Sequence, residues 1–130
     1  MRSLSASLGW IAITALVASG AIHLIEARDA FGDAAYKGTL FVAQGLGALV
    51  AAVGIYRDQR GWGWFLGVLV AGGALVGYVL SRTVGLPGLP PEPEAWLEPM
   101  GVASLIVEGL FVVLFVLARR RPSPGASPLS

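Results

Sequence analysis

The chain has no cysteine, so disulfides, zinc–thiolate sites, iron–sulfur clusters and cysteine nucleophiles are excluded. It holds one histidine, His23, which excludes bis-histidine haem ligation within the chain and a histidine-rich copper or zinc site. Charge is scarce too. Only 13% of the 130 residues are charged, against about a quarter in a soluble domain. The net charge of +1 provides no field to draw a polyanion, and a nucleic-acid partner is excluded with it. No G-x-S-x-G elbow, Walker loop or dinucleotide fingerprint is present. What is abundant is apolar surface: 55% of residues are hydrophobic and the mean hydropathy is +0.73. Such a composition fits a small all-α integral membrane protein with the lipid bilayer as its first partner.

A run of ~20 apolar residues crosses the hydrocarbon core as a helix, and four such runs can be read. They cover about Leu4–Ala27, Tyr36–Tyr56, Trp62–Val84 and Met100–Ala118. Strand-like alternation is missing, which argues against a β-barrel. The expectation is a single four-helix transmembrane domain over residues 1–118. Residues Arg28–Ala35 are expected to connect the first pair and Arg57–Gly61 the second. A loop over Gly85–Pro99 is expected from prolines at 87, 90, 91, 93 and 99. A basic, then Pro/Ser-rich tail follows over 119–130 and is expected to be disordered.

Arginine placement sets the orientation. Four spans put both termini and the second connection on one side. That side holds Arg2, Arg57, Arg60, Arg119, Arg120 and Arg121 against one acid, Asp58. The other side holds Arg28, Lys37 and Arg82 against Glu26, Asp29, Asp33, Glu92, Glu94 and Glu98. Basic residues gather in cytoplasmic loops, so both termini are expected in the cytoplasm of a bacterium and the long loop outside. The stretch Val17-Ala18-Ser19-Gly20-Ala21 also resembles a signal-peptide cleavage site. A retained first helix is the reading adopted, and intact mass distinguishes the two.

Small residues recur at helical spacing: Gly73 and Gly77, Gly67 and Ala71, and the ladder Ala43, Gly47, Ala51. Such ladders let helix backbones approach closely. Packing within one bundle is the first reading. A homodimer seam, or room for a flat ligand or lipid tail, are the alternatives.

Polar groups at membrane depth are costly, so they are where function is sought. At ~1.5 Å per residue, Glu108 and Gln44 each lie about 12 Å in from the outer ends of their spans. His23 lies about 6 Å in, and Arg82 within about one turn. All of these sit in the outer half, above an apolar floor, which suggests a polar pocket open to the outside. Ser19, His23 and Glu26 share one helix face, as do Tyr78 and Arg82, and Ser104 and Glu108. Turned inward, these stripes bring His23, Glu26, Gln44, Tyr78, Arg82 and Glu108 into one candidate ligand site. Each also has a plain structural role. Glu108 can tie helices together as a protonated or hydrogen-bonded carboxyl, and His23 can bond a backbone carbonyl. Gln44 can link two helices, and Arg82 can snorkel to Glu98 or Glu26. Glu92, Glu94 and Glu98 lack the ligand spacing of a calcium loop. His23 and Glu26 alone are too few to hold a metal, and no cofactor is expected.

The stretches from Ala21-Ile22-His23 to Glu26, Gly38–Gln44 and Ser81–Gly88, with Trp96-Leu97-Glu98-Pro99 and Leu105…Glu108-Gly109, resemble a group of small four-helix bacterial membrane proteins. That group shares a His–Glu first helix and an S-R-T-x-G-x-P-G turn after the third. Its members often carry more histidines before the second helix, where this chain has Arg28-Asp29 and Phe31-Gly32-Asp33. The resemblance implies the architecture and no activity. The reading drawn from the residues is a binding or translocation module for a small polar or amphipathic ligand. The rivals are an accessory subunit of a larger membrane complex and, more weakly, an intramembrane enzyme or cofactor carrier. Enzyme chemistry would be restricted to proton transfer by Glu108 or His23.

Overall fold

Four long helices run up and down in chain order: α1 over Arg2–Asp33, α2 over Ala35–Arg57, α3 over Trp62–Thr83 and α4 over Pro99–Arg120. The computed structural model describes residues 2–58 and 61–120, with side chains from residue 6 onward. All four helices are long and apolar enough to cross a membrane. α1 packs on α2 and α4, and α3 packs on the same two, so the helices close a four-membered ring. One end, called the terminus end below, gathers the start of α1, the end of α2, the start of α3 and the end of α4. The other end gathers the α1–α2 break and the long loop after α3, and is called the loop end below.

The expected connection over Arg28–Ala35 is replaced by helix. α1 continues to Asp33, and the chain reverses at a single extended residue, Ala34, with φ −165° and ψ 144°. Hydropathy marks where a helix leaves an apolar medium. Helix propensity decides where it stops, and Ala27, Arg28 and Ala30 favour continuation while no proline opposes it. At 32 residues α1 is about 48 Å long, well beyond a ~30 Å hydrocarbon core. The reversal is held by Lys37 Nζ donating to Asp33 Oδ2 at 2.6 Å and by the Phe31 ring lying directly on Gly38. Arg119 and Arg120 belong to α4, whereas the rest of the expected tail lies outside the described residues, as does Arg60.

The apolar core fills the half of the bundle nearer the termini. Ala12, Ala15 and Leu16 of α1 meet Ala48, Ala51, Ala52 and Ile55 of α2, Trp64 and Ala71 of α3, and Phe111 and Leu114 of α4. Alanine at so many contacts lets the helices approach closely, and Trp64 stacked on Phe111 at 5.4 Å fills the wider space. The closest approaches use glycine. A Cβ on Gly63 would meet the Ile55 nitrogen at 2.5 Å and the Ala51 oxygen at 2.8 Å, both backbone atoms of α2. The Gly73–Gly77 pair, by contrast, faces nothing: no atom lies within 4 Å of a Cβ at either position. Of the small-residue pairs legible in α3, the one inside the bundle is therefore Gly67 with Ala71. A Cβ on Gly67 would strike the Phe111 ring, and Ala71 is buried.

The loop after α3 is ordered by its turn chemistry. Gly85, at φ 91°, ends α3 and donates its N–H to the Leu80 carbonyl at 2.7 Å. Leu86-Pro87-Gly88-Leu89 is a tight turn with Gly88 at φ 73°, closed by Leu89 N–H to the Leu86 carbonyl. A short 3₁₀ turn over Pro93–Ala95 follows. Glu98 then caps α4, its Oε1 and Oε2 accepting the Met100 and Gly101 N–H groups at 3.2 and 2.7 Å ahead of Pro99 in the first turn.

Candidate functional site

Just beyond the apolar core, toward the loop end, the seam between α1 and α4 turns polar. Glu108 and Ser19 are each 2% exposed and His23 is 8% exposed. Ser19 Oγ donates to Glu108 Oε2 at 2.8 Å. Ser104, one turn earlier on α4, is buried and supplies a second hydroxyl to the same carboxyl. His23 Nδ1 lies 2.9 Å from the Ser19 carbonyl and 3.6 Å from Glu108 Oε2. A carbonyl oxygen only accepts, so Nδ1 is the donor in that contact. The imidazole leans on Phe41 of α2 with ring centroids 5.3 Å apart. Every buried side-chain nitrogen and oxygen among the described residues has a partner.

Helical spacing explains the group. Ser19 and His23 are four residues apart on α1, and Ser104 and Glu108 are four apart on α4, so each helix presents a polar pair on one face. Ring closure then sets the faces together. Ser19 was legible as a neighbour of His23, but its part as the donor to Glu108 depends on α1 lying beside α4, which no local spacing specifies.

The other candidate residues lie in separate settings. Gln44 is half-buried between α2 and α3, and its Nε2 donates to the Val70 carbonyl. Tyr78 and Arg82 hold the long loop. Tyr78 OH donates to the Trp96 carbonyl at 2.5 Å, and the Arg82 guanidinium lies over the Tyr78 ring at 3.7 Å. Arg82 also donates to Ser81 Oγ at 2.7 Å and to the Ala95 carbonyl at 3.3 Å. Among the described residues it forms no ion pair, so the expected snorkelling partners Glu98 and Glu26 do not hold it. Glu98 is engaged at the α4 cap, with Gly101 between them: a Cβ there would meet Arg82 Nη2 and Glu98 Oε2, each at 3.1 Å. Glu26 is partly exposed, one turn beyond His23 and within electrostatic reach of His23 and Glu98. The structure thus brings Ser19, His23, Ser104 and Glu108 together, places Glu26 toward the rim above them, and puts Gln44 and the Tyr78–Arg82 pair in contacts of their own. No group of three or more potential metal-ligating side chains occurs among the described residues.

No protein family, curated protein or solved structure matches the chain.

Proposed function

We propose that the chain is a multi-pass protein of a bacterial inner membrane, both termini cytoplasmic, that binds or translocates a small polar or amphipathic molecule entering from the loop end. Glu108 is the deep anchor, with Ser19, Ser104 and His23 around it. The observation that carries this reading is the carboxyl itself. Glu108 is 2% exposed in a seam of helices apolar enough to span lipid, and an ionisable side chain in that setting is the default candidate for a ligand or proton pathway. Arginine placement supports the orientation. Arg82 and Tyr78 act at the rim, where they fasten the loop after α3.

The test uses a hydrophobic carbodiimide, which adds to protonated carboxyls within a bilayer. In proteoliposomes the native chain gains an adduct at Glu108, read by peptide mass, and Glu108→Gln does not. A panel of small amines, carboxylates and amphipathic alcohols supplied from the loop side is then screened for protection. A solute that slows the adduct is the ligand class, and Glu108→Gln and Arg82→Met, made separately, lower its binding or flux. A carboxyl that never reacts, or reacts at a rate no solute changes, is a sealed helix tie and removes the pocket.

A second reading is favoured by one observation, the open Gly73–Gly77 stripe on α3. A small-residue face left empty by its own bundle suits a helix of another protein, as in an accessory subunit. Stoichiometric co-purification of a larger membrane protein in mild detergent supports it, and a homogeneous monomer counts against it.

A further inference from the structure

The groups that bond the Glu108 carboxyl are hydroxyls. Ser19 Oγ lies 2.8 Å from Oε2, and Ser104 supplies a second hydroxyl. A third oxygen, the Ser19 carbonyl, is near enough that His23 Nδ1 lies 2.9 Å from it and 3.6 Å from Glu108 Oε2. The shorter contact is a hydrogen bond and the longer one is not. No lysine or arginine pairs with Glu108 among the described residues. We propose that this oxygen set is a site for a small monovalent cation, an alkali ion or a primary ammonium, taken up from the loop end. The inference rests on the reading of Glu108 as the deep anchor of a ligand site, and it names the class of ligand.

The donor set selects the ion. Carboxylate, hydroxyl and carbonyl oxygens are hard ligands, suited to hard cations and to ammonium N–H groups rather than to soft metals. The hydroxyls of Ser19 and Ser104 rotate about their C–O bonds and have lone pairs to turn toward a cation. Charge sets the valence. One carboxylate balances one positive charge, and a divalent ion would leave a charge unmatched beside a carboxyl that is 2% exposed. An anion is disfavoured on two counts. It would meet Glu108 as a like charge. The cation that would have to offset this, Arg82, is engaged on the loop after α3, where it lies over Tyr78 and donates to Ser81 Oγ and the Ala95 carbonyl. The loop end also carries six acids against three bases, and one of those bases, Lys37, is bound to Asp33. Such a surplus raises the local concentration of cations. Glu26 lies one turn beyond His23 on the same face of α1, which carries negative charge from the rim toward Glu108. Toward the terminus end the bundle is filled by apolar core, which offers a cation no ligand.

Carbodiimide labelling reads occupancy, because a cation on the carboxylate keeps it from the protonated form that reacts. The native chain in phosphatidylcholine proteoliposomes is labelled in choline chloride at fixed pH. Sodium, potassium or methylammonium chloride replaces the choline in separate arms at equal ionic strength, so that general screening is the same in all. Choline is the control because its quaternary nitrogen is bulky and has no N–H to donate. One of the three ions is expected to slow the adduct about tenfold when present at ~10 times its dissociation constant. Protection by sodium or potassium identifies an alkali ion, and protection by methylammonium alone identifies an ammonium. Ser19→Ala and Ser104→Ala each remove one ligand oxygen and keep the carboxyl. Both still form the adduct, and each needs about tenfold more of the ion for the same protection. Protection that both variants keep at full strength places the ion elsewhere and overturns the proposal. Slowing by choline acetate, relative to choline chloride, assigns the site to an anion and also overturns it. An adduct slowed by a neutral alcohol but by none of the cations removes the cation class and leaves the ligand-site reading standing. If no adduct forms, or no solute of any class slows it, both fall together.

Discussion

Removing the Ser19 hydroxyl tests whether the α1–α4 seam is held by the contact seen there. Ser19→Ala deletes the 2.8 Å donation to Glu108 Oε2 and leaves that oxygen with His23 Nδ1 at 3.6 Å. A buried acceptor stripped of its donor costs about 1–3 kcal/mol in water-soluble proteins. Membrane helices pay less, since the alternative state also finds partners; measured couplings average about 0.6 and reach about 1.7 kcal/mol. The second hydroxyl, Ser104, still serves the carboxyl, so Ser19→Ala is expected to destabilise by about 1 kcal/mol. Glu108→Leu exchanges the carboxyl for an apolar side chain of similar size. Ser19 then loses little, because a helical serine can turn its hydroxyl to the carbonyl four residues earlier, here Ala15. The double variant should therefore be more stable than the sum of the singles by about 0.6–1.7 kcal/mol. Reversible unfolding in mixed micelles, by detergent titration or steric trapping, measures all four corners. Additivity within about 0.5 kcal/mol would falsify the contact as a coupling between α1 and α4.

Three further outcomes separate contacts from empty space. Gly63→Ala forces a methyl against α2 backbone and is expected to cost about 1–3 kcal/mol, while Gly73→Ala meets nothing and gains up to about 1 kcal/mol of helix propensity; shifts of equal sign in the unfolding midpoint would contradict the α2–α3 packing. Gly85→Ala places a side chain at φ 91° with its Cβ 2.6 Å from the Leu89 oxygen, so a cost of about 1–3 kcal/mol and faster hydrogen exchange at the Leu89 and Glu92 amides are expected. Gln44→Leu removes a donor to the Val70 carbonyl, an oxygen inside α3 with a helix bond of its own, and should cost about 0.6 kcal/mol; a loss several times larger would mean that Gln44 is more than a link between α2 and α3.

How much of this was legible depends on the property asked of the sequence. Hydropathy located all four helices, because an apolar run of the right length is a local property. It misplaced the end of α1, since Arg28–Asp33 is polar enough to leave an apolar medium yet still helical. The small-residue ladders were legible as ladders, but spacing does not fix how a helix is rotated. Six residues advance a helix by ~600°, which puts Gly73 about 120° around from Gly67. Gly67 therefore meets Phe111 while Gly73 faces outward, although both belong to equally plausible motifs. The polar stripes have the same limit. Each was visible on its own helix, and which stripes touch was decided by the ring order of the bundle.

That order follows from the connections. Ala34 alone reverses the chain between α1 and α2, and only four residues separate α2 from α3, so both sequential pairs must be neighbours. α4 can then touch α1 only by closing the ring, which brings together Ser19 and Glu108, 89 residues apart. The groups at the loop end have structural duties there: Tyr78 and Arg82 bind the loop, Glu98 caps α4, and Lys37 braces the α1–α2 reversal. None of those duties needs a carboxyl at the depth of Glu108. An apolar seam could close the same ring without desolvating a carboxyl, an imidazole and two hydroxyls, which makes this group the place where the proposed ligand site is to be tested. The candidate site is therefore smaller than the six residues spread over four helices: it is Glu108 and the three side chains around it, Ser19, His23 and Ser104.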